Sequence, residues 1–151
     1  MLSTKMDISP RGALTEVSQR LRRVLEQAQQ LQTGVAHAAA QKEACQARLA
    51  MTVDPAVFTE SWLNYQSLDA YGERMADRRD QLHEELKAAL AEVDATLPTV
   101  EQERDRLVEA LQDAKDPNHF RRLQDESNLR SAIKSARELA DAARSILGQR
   151  P

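Results

Sequence analysis

Apolar side chains recur every three and four residues over the first third of the chain. Leu14, Val17, Leu21, Val24, Ala28, Leu31, Val35, Ala38, Lys42, Cys45 and Leu49 occupy this repeat, and Lys42 alone among them is charged. A repeat of about 3.5 residues holds one narrow stripe on one side of a helix, and a single helix cannot bury that stripe alone. The pattern predicts a long helix over about residues 13–51, with a partner helix along its length. Gly34 inside it costs roughly 1 kcal/mol relative to Ala, which a long seam absorbs.

Thr52-Val53-Asp54-Pro55 ends this helix. A residue before proline is pushed out of the helical region, while Asp54 as N-cap and Pro55 at the first helical position start the next helix. So short a link makes the two helices antiparallel. A second seam follows in Tyr65, Leu68, Gly72, Met75, Arg79, Leu82, Leu86, Ala89 and Val93. It resumes, displaced by one position, as Leu97, Val100, Arg104, Leu107, Leu111 and Ala114, a stutter that coiled coils absorb by local unwinding. Pro98 either kinks one long helix over about residues 55–115 or starts a helix that folds back. The absence of Gly or a turn cluster around it favours the kink.

Asp116-Pro117-Asn118 is a clearer break, and a last helix over about residues 119–147 follows. Leu129, Ala132, Ala136, Leu139, Ala143 and Ile146 form its seam, with Ile133, Ala140 and Leu147 beside it. Gly148 closes it as a C-terminal cap. Residues 1–12, with Ser9, Pro10 and Gly12, lack periodicity and read as a tail, leaving residues 13–151 as one helical domain. The expected fold is all-α: an elongated antiparallel coiled-coil hairpin, its second half kinked or broken near Pro98 and Pro117. The alternative is a three-helix bundle, if the chain folds back at Pro98.

Composition fits a thin rod better than a broad core, with two Phe, two Tyr, one Trp and 30% charged residues in 151. No run of 18 apolar residues exists to span a membrane, and residues 1–11 lack the apolar run of a secretory signal. The one cysteine, Cys45, excludes an internal disulfide and fits a reducing compartment, read as the cytoplasm. Charge is uneven: residues 1–50 carry a net of +3, residues 51–115 a net of −8 and residues 116–151 a net of +2. Either these are solvated helix faces, or basic end segments meet the acidic middle or an acidic partner.

Little chemistry is encoded. His37, His83 and His119 have no second ligand at metal-binding spacing, and HExxH, CxxC, EF-hand, P-loop and GxSxG patterns are absent. Cys45 falls on the seam, where a thiol acts as a small buried hydrophobe. A thin rod offers no cleft to split the pKa values of paired carboxylates. The expectation is therefore no catalysis, no cofactor and no metal. Arg20, Arg22 and Arg23 lie inside the heptad region of a net-negative chain, which argues against nucleic acid as the partner. Phe58, Trp62, Tyr65 and Tyr71 crowd the first turns after Asp54-Pro55, the first three on one face at i, i+4, i+7. They either plug the end of the hairpin or form a partner-docking tip, Trp and Tyr being frequent interface anchors.

The stretch Phe58-Thr59-Glu60-Ser61-Trp62-Leu63-Asn64-Tyr65-Gln66-Ser67-Leu68, continuing to Arg78-Arg79-Asp80-Gln81-Leu82, is similar to the start of the second helix in the type III secretion stalk proteins. These are the flagellar FliJ and injectisome YscO groups, cytosolic two-helix coiled coils of about this length. The resemblance implies a non-enzymatic rod that inserts into a hexameric export ATPase and contacts the export gate, some members also escorting substrate chaperones. Pro98 and Asp116-Pro117-Asn118 depart from the family's two uninterrupted helices. On this reading Arg20, Arg23, Arg137 and Arg144 face outward for ring binding, and Phe58, Trp62 and Tyr65 are further contact candidates. The alternative is a general coiled-coil or bundle adaptor or chaperone that joins other proteins, or copies of itself.

Overall fold

The computed structural model describes residues 9–148. They form α1 (Pro10–Met51), α2 (Pro55–Ala110) and α3 (His119–Ile146), with no strand among the described residues. The protein is all-α.

The first two helices each start where a short polar side chain precedes a proline. Ser9 Oγ accepts the Gly12 N–H at 3.0 Å, and the Ser9 carbonyl accepts that of Ala13 at 2.9 Å. Asp54 Oδ1 accepts the Ala56 N–H at 3.0 Å, and its carbonyl that of Phe58 at 2.9 Å. Ser9-Pro10 is thus the same start signal as Asp54-Pro55, so α1 begins three residues before the expected start at residue 13. Residues 10–12, expected in the tail, are its first turn; residues 1–8 lie outside the described residues. Before α3, Asp116 Oδ1 accepts the Asn118 N–H at 2.8 Å, and the other carboxylate oxygen pairs with Arg122.

α2 stops at Ala110 rather than near residue 115. The Gln112 and Asp113 N–H groups reach back three residues instead of four, and Asp113 Oδ1 takes the Lys115 N–H at 3.1 Å. A carboxylate that captures a neighbouring backbone donor competes with helix continuation. Ala114, expected on the seam, therefore lies exposed beyond the helix. At the end of α3, Gly148 takes φ +73° and donates to the Ser145 carbonyl at 3.2 Å. Glycine adopts that left-handed conformation without Cβ strain.

α2 runs through Pro98. The ring is exposed, and without an N–H it leaves the Asp94 carbonyl lacking its helical donor. The return of the chain falls at residues 111–118, not at Pro98.

The structure divides into two compact units. The first joins the described residues of Met1–Leu25 and Glu85–Pro151. Here the start of α1, the second half of α2 and all of α3 share one core, with Leu14, Leu21, Leu86, Val93, Val100 and Ile133 fully buried. Ala136, Ala140 and Ala143 are α3's closest-packed positions, each at most 1% exposed. Arg144 meets Asp94 at 2.5 Å and Arg137 meets Glu101 at 2.6 Å. Seven residues forward on α2 are matched by seven back on α3, so the two are antiparallel. A three-helix packing is realised in this unit, through the 111–118 return.

The second unit, Glu26–Glu84, is an antiparallel hairpin of α1 and α2. Lys42 pairs with Asp69, and Gln46 with Tyr65, four residues on and four back. Ala28, Ala38, Cys45 and Leu82 are buried, while Leu31, Val35, Leu49, Tyr65, Leu68 and Met75 are half-buried. Two helices bury a stripe, whereas a third lets a core close. All eleven repeat positions of α1 are buried or half-buried. On the α2 seam up to Val93 the exception is Arg79, which is exposed and lies 3.6 Å from Asp80.

Leu86→Ala should lower the unfolding free energy by about 2–5 kcal/mol in urea denaturation, the range for a fully buried leucine. Gly72→Ala should raise it by about 1 kcal/mol, since a Cβ there meets nothing within 4 Å and alanine is the better helix former.

Candidate functional site

Only residues 52–54 separate α1 from α2. So short a reversal cannot bend its apolar side chains back onto the seam. Met51 is 84% and Val53 98% exposed. Val57, Phe58, Trp62 and Leu63, on the first turns of α2, are also exposed. Across residues 49–68 Asp54 and Glu60 are the only charged residues, in a chain that is 30% charged. An exposed apolar group depleted of charge has the character of an interface core rather than of ordinary surface.

The aromatic cluster is divided by the fold. Phe58 and Trp62 stand in solvent at 45% and 44% exposure, while Tyr65 is half-buried on the seam. Ser61, 4% exposed, is buried at this end of α2. Counting the α2 repeat four residues back from Tyr65 reaches Ser61, a signal that a search for apolar residues alone passes over. The buried position at this end of α2 is thus a small serine, while Phe58 and Trp62 are exposed.

Trp62 is nevertheless ordered from below. Its ring stacks on Tyr65 with centroids 5.8 Å apart and planes 11° from parallel. Gln46 Nε2 donates to Tyr65 Oη at 3.2 Å. Lys42 Nζ lies 5.1 Å from the centre of the Tyr65 ring and 2.5 Å from Asp69 Oδ1. The Asp69 hydrogen bond, opposed by partial desolvation and helped by the charges of Asp69 and Tyr65, holds the Lys42 pKa above its ordinary value. A raised lysine pKa means that this contact stabilises the fold throughout neutral pH. The contribution is lost as alkaline pH rises through the folded-state value.

Of the arginines expected to face outward, Arg20 and Arg137 are exposed and also paired within the chain. Arg20 pairs with Glu92, and Arg137 with Glu101. Arg144 is half-buried between Asp94, at 2.5 Å, and Asp141, at 3.5 Å, so it does not face outward. Arg23 is exposed. Basic end segments therefore meet the acidic middle through Arg20, Arg137, Arg144 and Lys42, one of the readings that the charge asymmetry offered. The four arginines belong to the first unit and the aromatics to the second.

A smaller exposed apolar group went unanticipated: Val108, Phe120 at 84% exposure, and Leu123, flanking the α2–α3 return. Phe120 stands outside any apolar repeat, so periodicity could not single it out. Cys45 is buried. Among the described residues no group of three or more His, Cys, Asp or Glu could hold a metal ion. No described helix is long and apolar enough to cross a membrane.

Phe58→Ala and Trp62→Ala should each change the unfolding free energy by no more than about 1 kcal/mol, because their rings are half in water already. Chemical denaturation followed by far-UV circular dichroism checks this; a loss comparable to that of Leu86→Ala would make them core residues. Comparison of the chain with known protein families, characterised proteins and solved structures finds no match.

Proposed function

We propose that this is a non-catalytic helical protein that works by docking another protein onto the end of its α1–α2 hairpin. Its setting is the cytoplasm, as a stalk-like accessory of a type III export ATPase. The observation that carries the docking is the exposed, charge-poor group Met51, Val53, Val57, Phe58, Trp62 and Leu63. Such a group contributes little to the hairpin's own stability, and its burial against a partner would gain roughly 25 cal/mol per Å² of apolar surface. The export-ATPase setting is supported by the hairpin and by the 58–68 stretch on its second helix. The export gate and substrate chaperones are the other partners of that setting; nucleic acid and membrane insertion form no part of it.

A general adaptor is the second reading. It is favoured by Arg144, which is half-buried between Asp94 and Asp141 and so does not face a ring as the stalk reading asks.

Purified protein used as bait in lysate of its own organism, with mass spectrometry of what is retained, separates the readings. Recovery of a hexameric secretion ATPase or an export-gate subunit is expected. Its loss in the Phe58→Ser, Trp62→Ser double variant is expected too. Retention by the double variant would remove the hairpin end from the interface. Recovery of unrelated proteins that is lost in the same variant would leave the adaptor.

A further inference from the structure

Lys42 stands where the α1 repeat otherwise places apolar side chains or the Cys45 thiol. A lone charged residue on a coiled-coil seam lowers stability while selecting one register, because only one alignment gives the charge a partner. The alignment here is explicit. Tyr65 and Asp69 lie one turn apart on α2, and the Lys42 ammonium reaches both: 2.5 Å to Asp69 Oδ1 and 5.1 Å to the Tyr65 centroid. Sliding α2 by one heptad in one direction would set Lys42 against Gly72 and Ala76, which offer neither ring nor carboxylate. Sliding it in the other would set Lys42 against Phe58 and Trp62, with no carboxylate at the Asp69 place.

The same contact reaches the surface. Tyr65, held at its ring face by Lys42 and at its hydroxyl by Gln46, is the platform on which Trp62 stacks. We infer that Lys42 is a positioning residue: by closing on Asp69 and the Tyr65 ring it fixes the hairpin register in which Trp62 is stacked beneath and open above. This deepens the docking reading, on which its biological purpose rests, by naming what pre-orders the contact surface. A ring ordered before contact loses less rotational freedom on binding, which favours affinity.

Trp62 is the chain's one tryptophan, so its near-UV circular dichroism and acrylamide quenching report this geometry directly in the full-length protein without a partner. Lys42→Met keeps an apolar-compatible side chain of similar length on the seam, so the helices are expected to remain. Its far-UV spectrum should match the parent, while the near-UV Trp–Tyr signal is lost and quenching increases. Lys42→Arg, which retains both the ion pair and the cation–ring contact, should keep the parental signal. The exchange Lys42→Asp with Asp69→Lys restores opposite charges but puts a carboxylate at the Tyr65 face. It should keep the parental far-UV spectrum without recovering the Trp62 signal. Equal signals in Lys42→Met and Lys42→Arg, whether both kept or both lost, would overturn the inference. Because no partner enters the measurement, its failure leaves the docking reading standing, and a failed capture experiment leaves this one standing.

Discussion

The apolar stripe of α1 is the constraint from which the rest follows. Held at a 3.5-residue repeat from Leu14 to Leu49, it must be covered along its length, and α2 does so in both units. Where α3 is added, Leu14 and Leu21 are fully buried; where only two helices meet, Leu31, Val35 and Leu49 stay partly exposed. The contrast follows from geometry: two cylinders share a line of contact, three enclose a volume. Stability therefore concentrates in the first unit, and the second is freer to expose side chains.

Much of this was legible in the chain itself. The stripe marked inward positions all along α1, and Asp54-Pro55 located the hairpin turn to the residue. Gly148 marked the end of α3. What periodicity could not supply was the start of α1, because a cap is a local hydrogen bond and carries no repeat; Ser9-Pro10 needed to be read in the same code as Asp54-Pro55. The end of α2 at Ala110 was hidden for the opposite reason: Leu111 and Ala114 preserve the repeat, but Asp113 diverts the backbone donors. At the candidate site, sequence selected Phe58, Trp62 and Tyr65 and left both plug and docking tip open. What the sequence did not show is that Ser61 is buried while Phe58 and Trp62 are exposed. Of the four arginines, Arg20, Arg23 and Arg137 are exposed and only Arg144 is half-buried; which carboxylate lies across from each is visible only once the helices are paired.

That pairing gives the uneven charge a role. Arg20, Arg137 and Arg144 from the basic ends and Glu92, Glu101 and Asp94 from the acidic middle meet across helices. Exposed pairs of this kind contribute about 0–1 kcal/mol each, so they do not hold the fold together. Their effect is selective: they favour one alignment of helices whose alanine-rich and leucine-rich faces would tolerate several. The hairpin end, by contrast, has almost no charge of its own.

Pro98 sits between two of these pairs. The missing N–H opens the hydrogen-bond ladder of α2 at Asp94, and Arg144 grips the carboxylate of that same residue; three residues beyond the proline, Arg137 grips Glu101. Weak as these pairs are, Val93 and Val100 on either side of the proline are fully buried in the core shared with α3, and this packing makes α3 a splint across a fracture in its neighbour. An isolated α2 would be weakest at this turn, and the packed one is fastened there from outside on both sides of the break. A helix that carries its own flaw can be long only where another helix lies alongside to bind it.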